Sequence, residues 1–253
     1  MVDLKKENNI WHGLSMNTIY NMDCIEGMKL IPDWSIDAII TDPPYNIARK
    51  NNFHTMKNKY WKPAHRRGID FWEWDKWFDL FSWIDKWVEL LKKDWAMFIF
   101  NDWKNIWDIA RYAEGCGMEI KDCFRWEKLN PMPRNRDRRY ITDFEMWVWL
   151  VKKWSKWVFN RQDERFERPK FVSCLVSWKE KTDHTTQKPV SLMEFLIKIH
   201  SNENQTILDP FMWSWTTAIA CINTNRNYIG FELDKWYFDI ANERIAWKLQ
   251  NKE

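Results

Sequence analysis

The stretch Ile36-Asp37-Ala38-Ile39-Ile40-Thr41-Asp42-Pro43-Pro44-Tyr45-Asn46 decides how the rest of the chain is read. Its first five residues are an isoleucine-rich apolar run of the kind that forms a buried parallel strand. Two consecutive prolines cannot continue a ladder, so the strand stops there and its end is stiff. A carboxylate, a rigid turn and an aromatic ring therefore stand together at the carboxyl end of a strand, the edge at which open α/β sheets bind ligands. Asp42 and the Pro43 carbonyl can each accept a hydrogen from one exocyclic amine, and Tyr45 offers a face for a flat base. The same residues also read as a plain Pro-Pro turn with an exposed Asp and a half-buried Tyr. The turn alone does not choose between the two.

Outward from this turn, strands and helices alternate. Ile19 to Met22 reads as a strand ending at Asp23, followed by a short helix through Leu30. Residues 75–93 have helical spacing, with Phe78, Phe81, Ile84, Val88 and Leu91 on one face. Ala96 to Phe100 is a buried strand, 102–115 a second amphipathic helix, and 120–126 and 144–151 are further strands. A helix follows Gln187-Lys188-Pro189, a strand covers 206–208, a helix runs to about Ile222, a strand covers 228–232, and a last helix spans 234–249. This alternation predicts an α/β fold with a doubly wound, mostly parallel, Rossmann-like sheet. Residues 1–16 read as a frayed lead-in.

A chain of 253 residues can bury one good core. Its net charge is only +3, so a nucleic-acid surface has to come from local clustering. Two clusters stand out: the loop 47–70, with Arg49, Lys50, Arg66 and Arg67, and the Pro-broken 130–139 segment, with Arg134, Arg136, Arg138 and Arg139. Either can hold phosphates, and either can be a solvated loop. The five cysteines are scattered without a CxxC pair, which predicts reduced thiols in a cytoplasmic protein and neither a disulfide framework nor a metal site. No signal peptide is recognised, and no apolar run approaches the ~18 residues of a membrane span.

Tryptophan is the anomaly: 21 residues, against 6 glycines, where average usage predicts roughly 18 glycines. Trp34, Trp95 and Trp154 stand in short polar corners where φ > 0 is common and an indole gains nothing. They read as glycine positions of a gene that uses UGA for glycine, translated with UGA as Trp. UGG codons at Trp34, Trp95, Trp213 and Trp215 would end that idea. Trp103, Trp126, Trp149 and Trp157 sit in aromatic or strand contexts and look genuine.

Residues 206–232 form a βαβ unit whose first turn is Asp209-Pro210-Phe211-Met212-Trp213-Ser214-Trp215-Thr216-Thr217. With glycine at 213 and 215 it is a Gly-rich turn at a helix N-terminus, suited to a nucleoside cofactor. Glu232 ends the next strand, where a carboxylate for ribose hydroxyls is expected. With tryptophan there, plain α/β packing is the reading.

The Asp42-Pro43-Pro44-Tyr45 turn, the segment His184-Thr185-Thr186-Gln187-Lys188-Pro189 and the Asp209–Thr217 turn, in this order, resemble the beta-group DNA amino-methyltransferases. The resemblance covers about Ile19 to Ala246 and departs at Thr185, Trp213 and Trp215. It implies a methyltransferase domain over 17–157 and 184–250, a target-recognition insert over 158–183 and a DNA-facing loop over 47–70. It also implies S-adenosylmethionine as cofactor and adenine N6 of double-stranded DNA as target, and it leaves room for a homodimer and a cognate restriction endonuclease. By the same resemblance, Asp42, Pro43, Pro44 and Tyr45 are catalytic. Asp23, Gln187, Lys188, Asp209, Phe211, Trp213, Trp215, Thr216, Thr217 and Glu232 line the cofactor, with Asp23 reading equally well as a helix cap. His184 is structural. The competing readings are cytosine N4 methylation, a methyltransferase acting on RNA or on a protein amide, and a cofactor-dead nucleic-acid-binding protein.

Overall fold

The computed structural model describes residues 10–11, 13–47, 78–131, 140–162, 165–176, 187–212 and 215–250. The chain runs β1 (Ile10–Trp11), β2 (Leu14–Ser15), β3 (Thr18–Tyr20), α1 (Cys24–Met28), β4 (Ile36–Thr41), α2 (Ser82–Leu90), β5 (Leu91–Asn101) and α3 (Ile106–Gly115). It continues through β6 (Met118–Lys128), β7 (Phe144–Lys152), β8 (Lys170–Ser173), α4 (Val190–His200), β9 (Thr206–Asp209), α5 (Thr216–Asn223), β10 (Asn227–Phe231) and α6 (Lys235–Gln250).

Eight strands make one sheet in the order β3-β10-β9-β4-β5-β7-β6-β8. From β3 to β5 every pair is parallel, and β7 runs antiparallel to both β5 and β6. All six residues of β4 are buried, as expected of a strand covered on both faces. Ala38, Ile40, Phe98 and Phe100 pack on one face with α4, α5 and α6, whereas Ile39, Met97 and Ile99 pack on the other with α1, α2 and α3. Helices on both sides of a mostly parallel sheet make this a doubly wound, Rossmann-like fold.

Some expected boundaries move. Part of the N-terminal lead-in pairs as a small ribbon, with Ile10 opposite Ser15. The helix expected over 75–93 is confined to α2, because Asp79 Oδ1 accepts from the Phe81 and Ser82 amides at its start and Leu91 is already extended. Its buried face is Trp83, Ile84, Trp87 and Leu90, one position off the predicted stripe, since the two indoles carry most of the apolar area. Trp95 is not in a left-handed corner: it lies in β5, in a stretch that bulges between the pairs Ile36–Leu91 and Ala38–Ala96. Trp34 (φ 59°), Trp154 (φ 64°) and Trp215 (φ 43°) are in the left-handed region. Within the span 158–183, β8 pairs with β6 and forms the edge of the main sheet. No described helix is long and apolar enough to cross a membrane.

Candidate active site

Strands β4 and β9 are parallel neighbours, so the turns that follow them open on the same edge of the sheet. The chain leaves β4 toward β5 on one side and β9 toward β10 on the other, which is the switch point where such sheets form a crevice. Thr41 Oγ1 donates to Asp209 Oδ1 at 3.1 Å and ties the two turns together.

Asp42 is buried, 6% exposed, unlike the solvated Asp of a plain turn. The Tyr45 hydroxyl donates to its Oδ1 and Lys188 Nζ donates to its Oδ2, both at 2.5 Å. Lys188, 3% exposed, arrives from the residues just before α4 and lies over the rings of Phe100 and Tyr45. Glu145 Oε2 stands 3.1 Å from its ammonium, and Glu145 Oε1 accepts from Lys128 at 2.6 Å. Burial raises the Asp42 carboxyl against the pull of Lys188. Burial would raise Glu145 as well, but Lys188 and Lys128 together hold it at about 2. Burial works against the Lys188 charge, yet the two carboxylates outweigh it and keep the ammonium protonated.

The other half of the crevice is built from β9, β10 and α5. Asp209 accepts from Thr217 Oγ1 at 2.6 Å and from the Phe211 amide at 3.2 Å, and burial still lifts it to about 7. Glu232, just past β10, accepts from the Asp234 amide at 2.7 Å and is likewise raised to about 7 by burial. The Phe211 ring meets Phe78 edge-on and packs near Trp83 and Trp87. Asp23 caps α1, accepting from the Ile25 and Glu26 amides. It lies at the end of β3, beside β10, where Asn21 Nδ2 donates to the Glu232 carbonyl. Gln187 is buried ahead of α4, and Thr216 Oγ1 donates to the Lys188 carbonyl at 3.2 Å, joining α5 to that segment. Trp215 is the N-cap of α5; its indole is buried in the core on the α4–α6 side, under the Arg244 guanidinium.

Asp42, Pro43, Tyr45, Lys188, Asp209, Thr216 and Thr217 thus converge, with Glu232 one strand further. Arg49, Lys50, Arg66, Arg67, Arg134, Arg136, Arg138, Arg139, Trp213 and His184 lie outside the described residues. Several neighbours were not foreseen. Glu145 shares a face of β7 with Trp147 and Trp149, and that two-residue period was the available signal. Asn105 Nδ2 donates to the Tyr45 carbonyl at 2.7 Å and to Asn101 Oδ1 at 2.9 Å. A polar cluster right after the buried strand β5 marks the same sheet edge.

Comparison with known proteins agrees with this geometry. The family model for N6/N4 methyltransferases, described as DNA methylase, matches residues 36–243. The type II methyltransferase M.HinfI of Haemophilus influenzae is 31% identical over 251 residues, covering 91% of this chain and 68% of that protein. The type II methyltransferase M2.MboI of Moraxella bovis is 31% identical over 244 residues, covering 89% of this chain and 86% of that protein. Among solved structures, M1.HpyAVI in complex with SAM superposes with a TM-score of 0.69 at 38% identity, covering 90% of this chain and 98% of that one. The cytosine-N4-specific PvuII DNA methyltransferase, at 18% identity and a TM-score of 0.69, shares the fold. With the sheet, the crevice and both turns in place, the chain belongs to the N6/N4 DNA methylase family.

Proposed function

We propose that this DNA methyltransferase transfers the methyl group of S-adenosylmethionine to N6 of an adenine flipped out of duplex DNA. One observation carries the reading: the Asp42–Tyr45 turn and the Asp209–Thr217 turn lie side by side, joined through Thr41 and Asp209. The second turn fits the cofactor. Glu232, a buried carboxyl raised to about 7, accepts from the Asp234 amide on Oε1, and a carboxylate at the end of this strand suits vicinal ribose hydroxyls as donors. Asp209, raised to about 7 by burial, is held by Thr41, Thr217 and the Phe211 amide and braces the turn. Phe211 adds an aromatic wall. When bound, the cofactor supplies an electrophilic methyl on a sulfonium with an excellent leaving group.

The chain's own residues position and orient. Asp42 Oδ and the Pro43 carbonyl hold the two amine hydrogens, and Tyr45 stacks on the unstacked base. An aspartate at the head of the tetrapeptide favours adenine N6 over cytosine N4, by resemblance. In this reading the 47–70 and 130–139 loops hold DNA phosphates and 158–183 reads the target. The test is transfer of labelled methyl from S-adenosylmethionine to DNA, RNA and protein, followed by identification of the product nucleoside. 6-Methyladenine in DNA supports the reading, 4-methylcytosine moves it to the other amine, and label confined to RNA or protein overturns it.

We also infer that Trp34, Trp154, Trp213 and Trp215 occupy glycine positions. In support, Trp34, Trp154 and Trp215 have φ between 43° and 64°, a region costly for a bulky side chain and free for glycine. Trp215 Nε1 is also buried without a hydrogen-bond partner. Codon sequencing at these positions decides it, since UGG excludes it. Calorimetry with S-adenosylmethionine separates an active enzyme from a binding-only protein.

A further inference from the structure

Each Asp42 oxygen accepts one hydrogen bond, from Tyr45 and from Lys188, which leaves lone pairs on both but sets the Lys188 ammonium against the carboxylate that is to hold the amine. Lys188 has a second carboxylate within reach, Glu145, and Glu145 has a second cation, Lys128. Lys128 is the last residue of β6, just ahead of the 130–139 segment. The charges therefore alternate along a line from that hairpin to the catalytic corner: Lys128, Glu145, Lys188, Asp42. A buried ammonium that loses its only carboxylate pays a heavy desolvation penalty. Lys188 escapes that penalty because Glu145 offers it another place.

We infer that Glu145 is a positioning residue: it receives Lys188 when the target amine displaces that lysine from Asp42. Lys188 is then a built-in occupant of the catalytic carboxylate, holding it in place and shielded until a base arrives. Glu145 sets how easily the occupant is displaced. Lys128 opposes the exchange by claiming part of the Glu145 charge. The inference rests on Asp42 being the amine acceptor, as proposed above.

The test uses Glu145→Gln and Lys128→Gln with a duplex carrying a site that the unmodified chain methylates, with 2-aminopurine replacing the base beside the target in a parallel sample so that the target keeps its amine. Glu145→Gln should slow single-turnover methylation at saturating duplex by at least about tenfold and remove most of the rise in emission that follows when the neighbouring target unstacks. Cofactor affinity by calorimetry should stay within about twofold, a split that a general structural defect does not give. Lys128→Gln leaves Glu145 wholly to Lys188 and should act in the opposite sense, raising the emission. An unimpaired Glu145→Gln, or a Lys128→Gln slowed in the same way, overturns the inference. Should Glu145→Gln not fold, the sign of the Lys128→Gln effect decides alone. Failure of both the unmodified chain and its Trp213→Gly, Trp215→Gly form to methylate any DNA sinks the underlying reading instead.

Discussion

Thr41 Oγ1 and Asp209 Oδ1 are 3.1 Å apart although 168 residues separate them in the chain. Their hydrogen bond ties the Asp42 turn to the Asp209 turn. In the proposed mechanism these corners hold the base and the methyl donor, and in-line transfer would need both at close, fixed range.

Replacing Asp42 by Ala removes the proposed acceptor for the amine and leaves the Asp209–Glu232 half untouched. Methyl transfer is expected to fall by on the order of a hundredfold to a thousandfold, with calorimetric cofactor affinity within a few fold. Full activity in this variant refutes the assignment.

Asp209 and Glu232 each have a folded-state pKa of about 7, above their ordinary values of 3.8 and 4.5. The folded state therefore holds more protons than the unfolded state between about pH 4 and 7, and stability falls as pH rises through that window. Each group accounts for an effect of order 3 kcal/mol. Melting temperature of the cofactor-free protein should drop from pH 5 to pH 8, and Glu232→Gln should flatten the slope. A melting temperature that rises over this range contradicts the burial of both acids.

Trp154 is 92% exposed with φ 64°, so its indole contributes little packing while the backbone is strained. Trp154→Gly should stabilise the protein by about 1 kcal/mol. Trp34→Gly should gain less, because Lys152 Nζ lies 4.2 Å from the centre of that ring, an attraction worth roughly 0.5–1 kcal/mol at the surface. Denaturant unfolding of both variants checks the ranking.

Asn105 anchors the Tyr45 carbonyl, so Asn105→Ala should loosen the stacking ring and lower kcat by about tenfold. Cofactor affinity should not change. Equal losses in cofactor affinity and kcat would place Asn105 elsewhere in the mechanism.

The parallel half of the sheet was legible because its strands are short apolar runs ending in chemistry, as at Ile36–Asp42 and Thr206–Asp209. Asp23 was readable as a helix cap because an acid before a short helix has that local role. The period of β7 could place Glu145 on the face of Trp147 and Trp149, but its ion pair with Lys188 is a long-range contact that no local pattern encodes. The rings that pack against Phe211, Trp83 and Trp87, were not foreseen, since the helical stripe was drawn through Phe81 and Val88 instead. The α2 stripe slipped by one position because two large rings outweighed the regular spacing.

Strands β9 and β10, late in the described sequence, insert between β3 and β4, which come early in it. Until they emerge, the central strand β4 keeps one open edge and the Asp42 corner has no opposite wall. A chain without β9 and β10 would leave that edge of β4 open to other strands, and closing the sheet requires contacts between distant parts of the sequence.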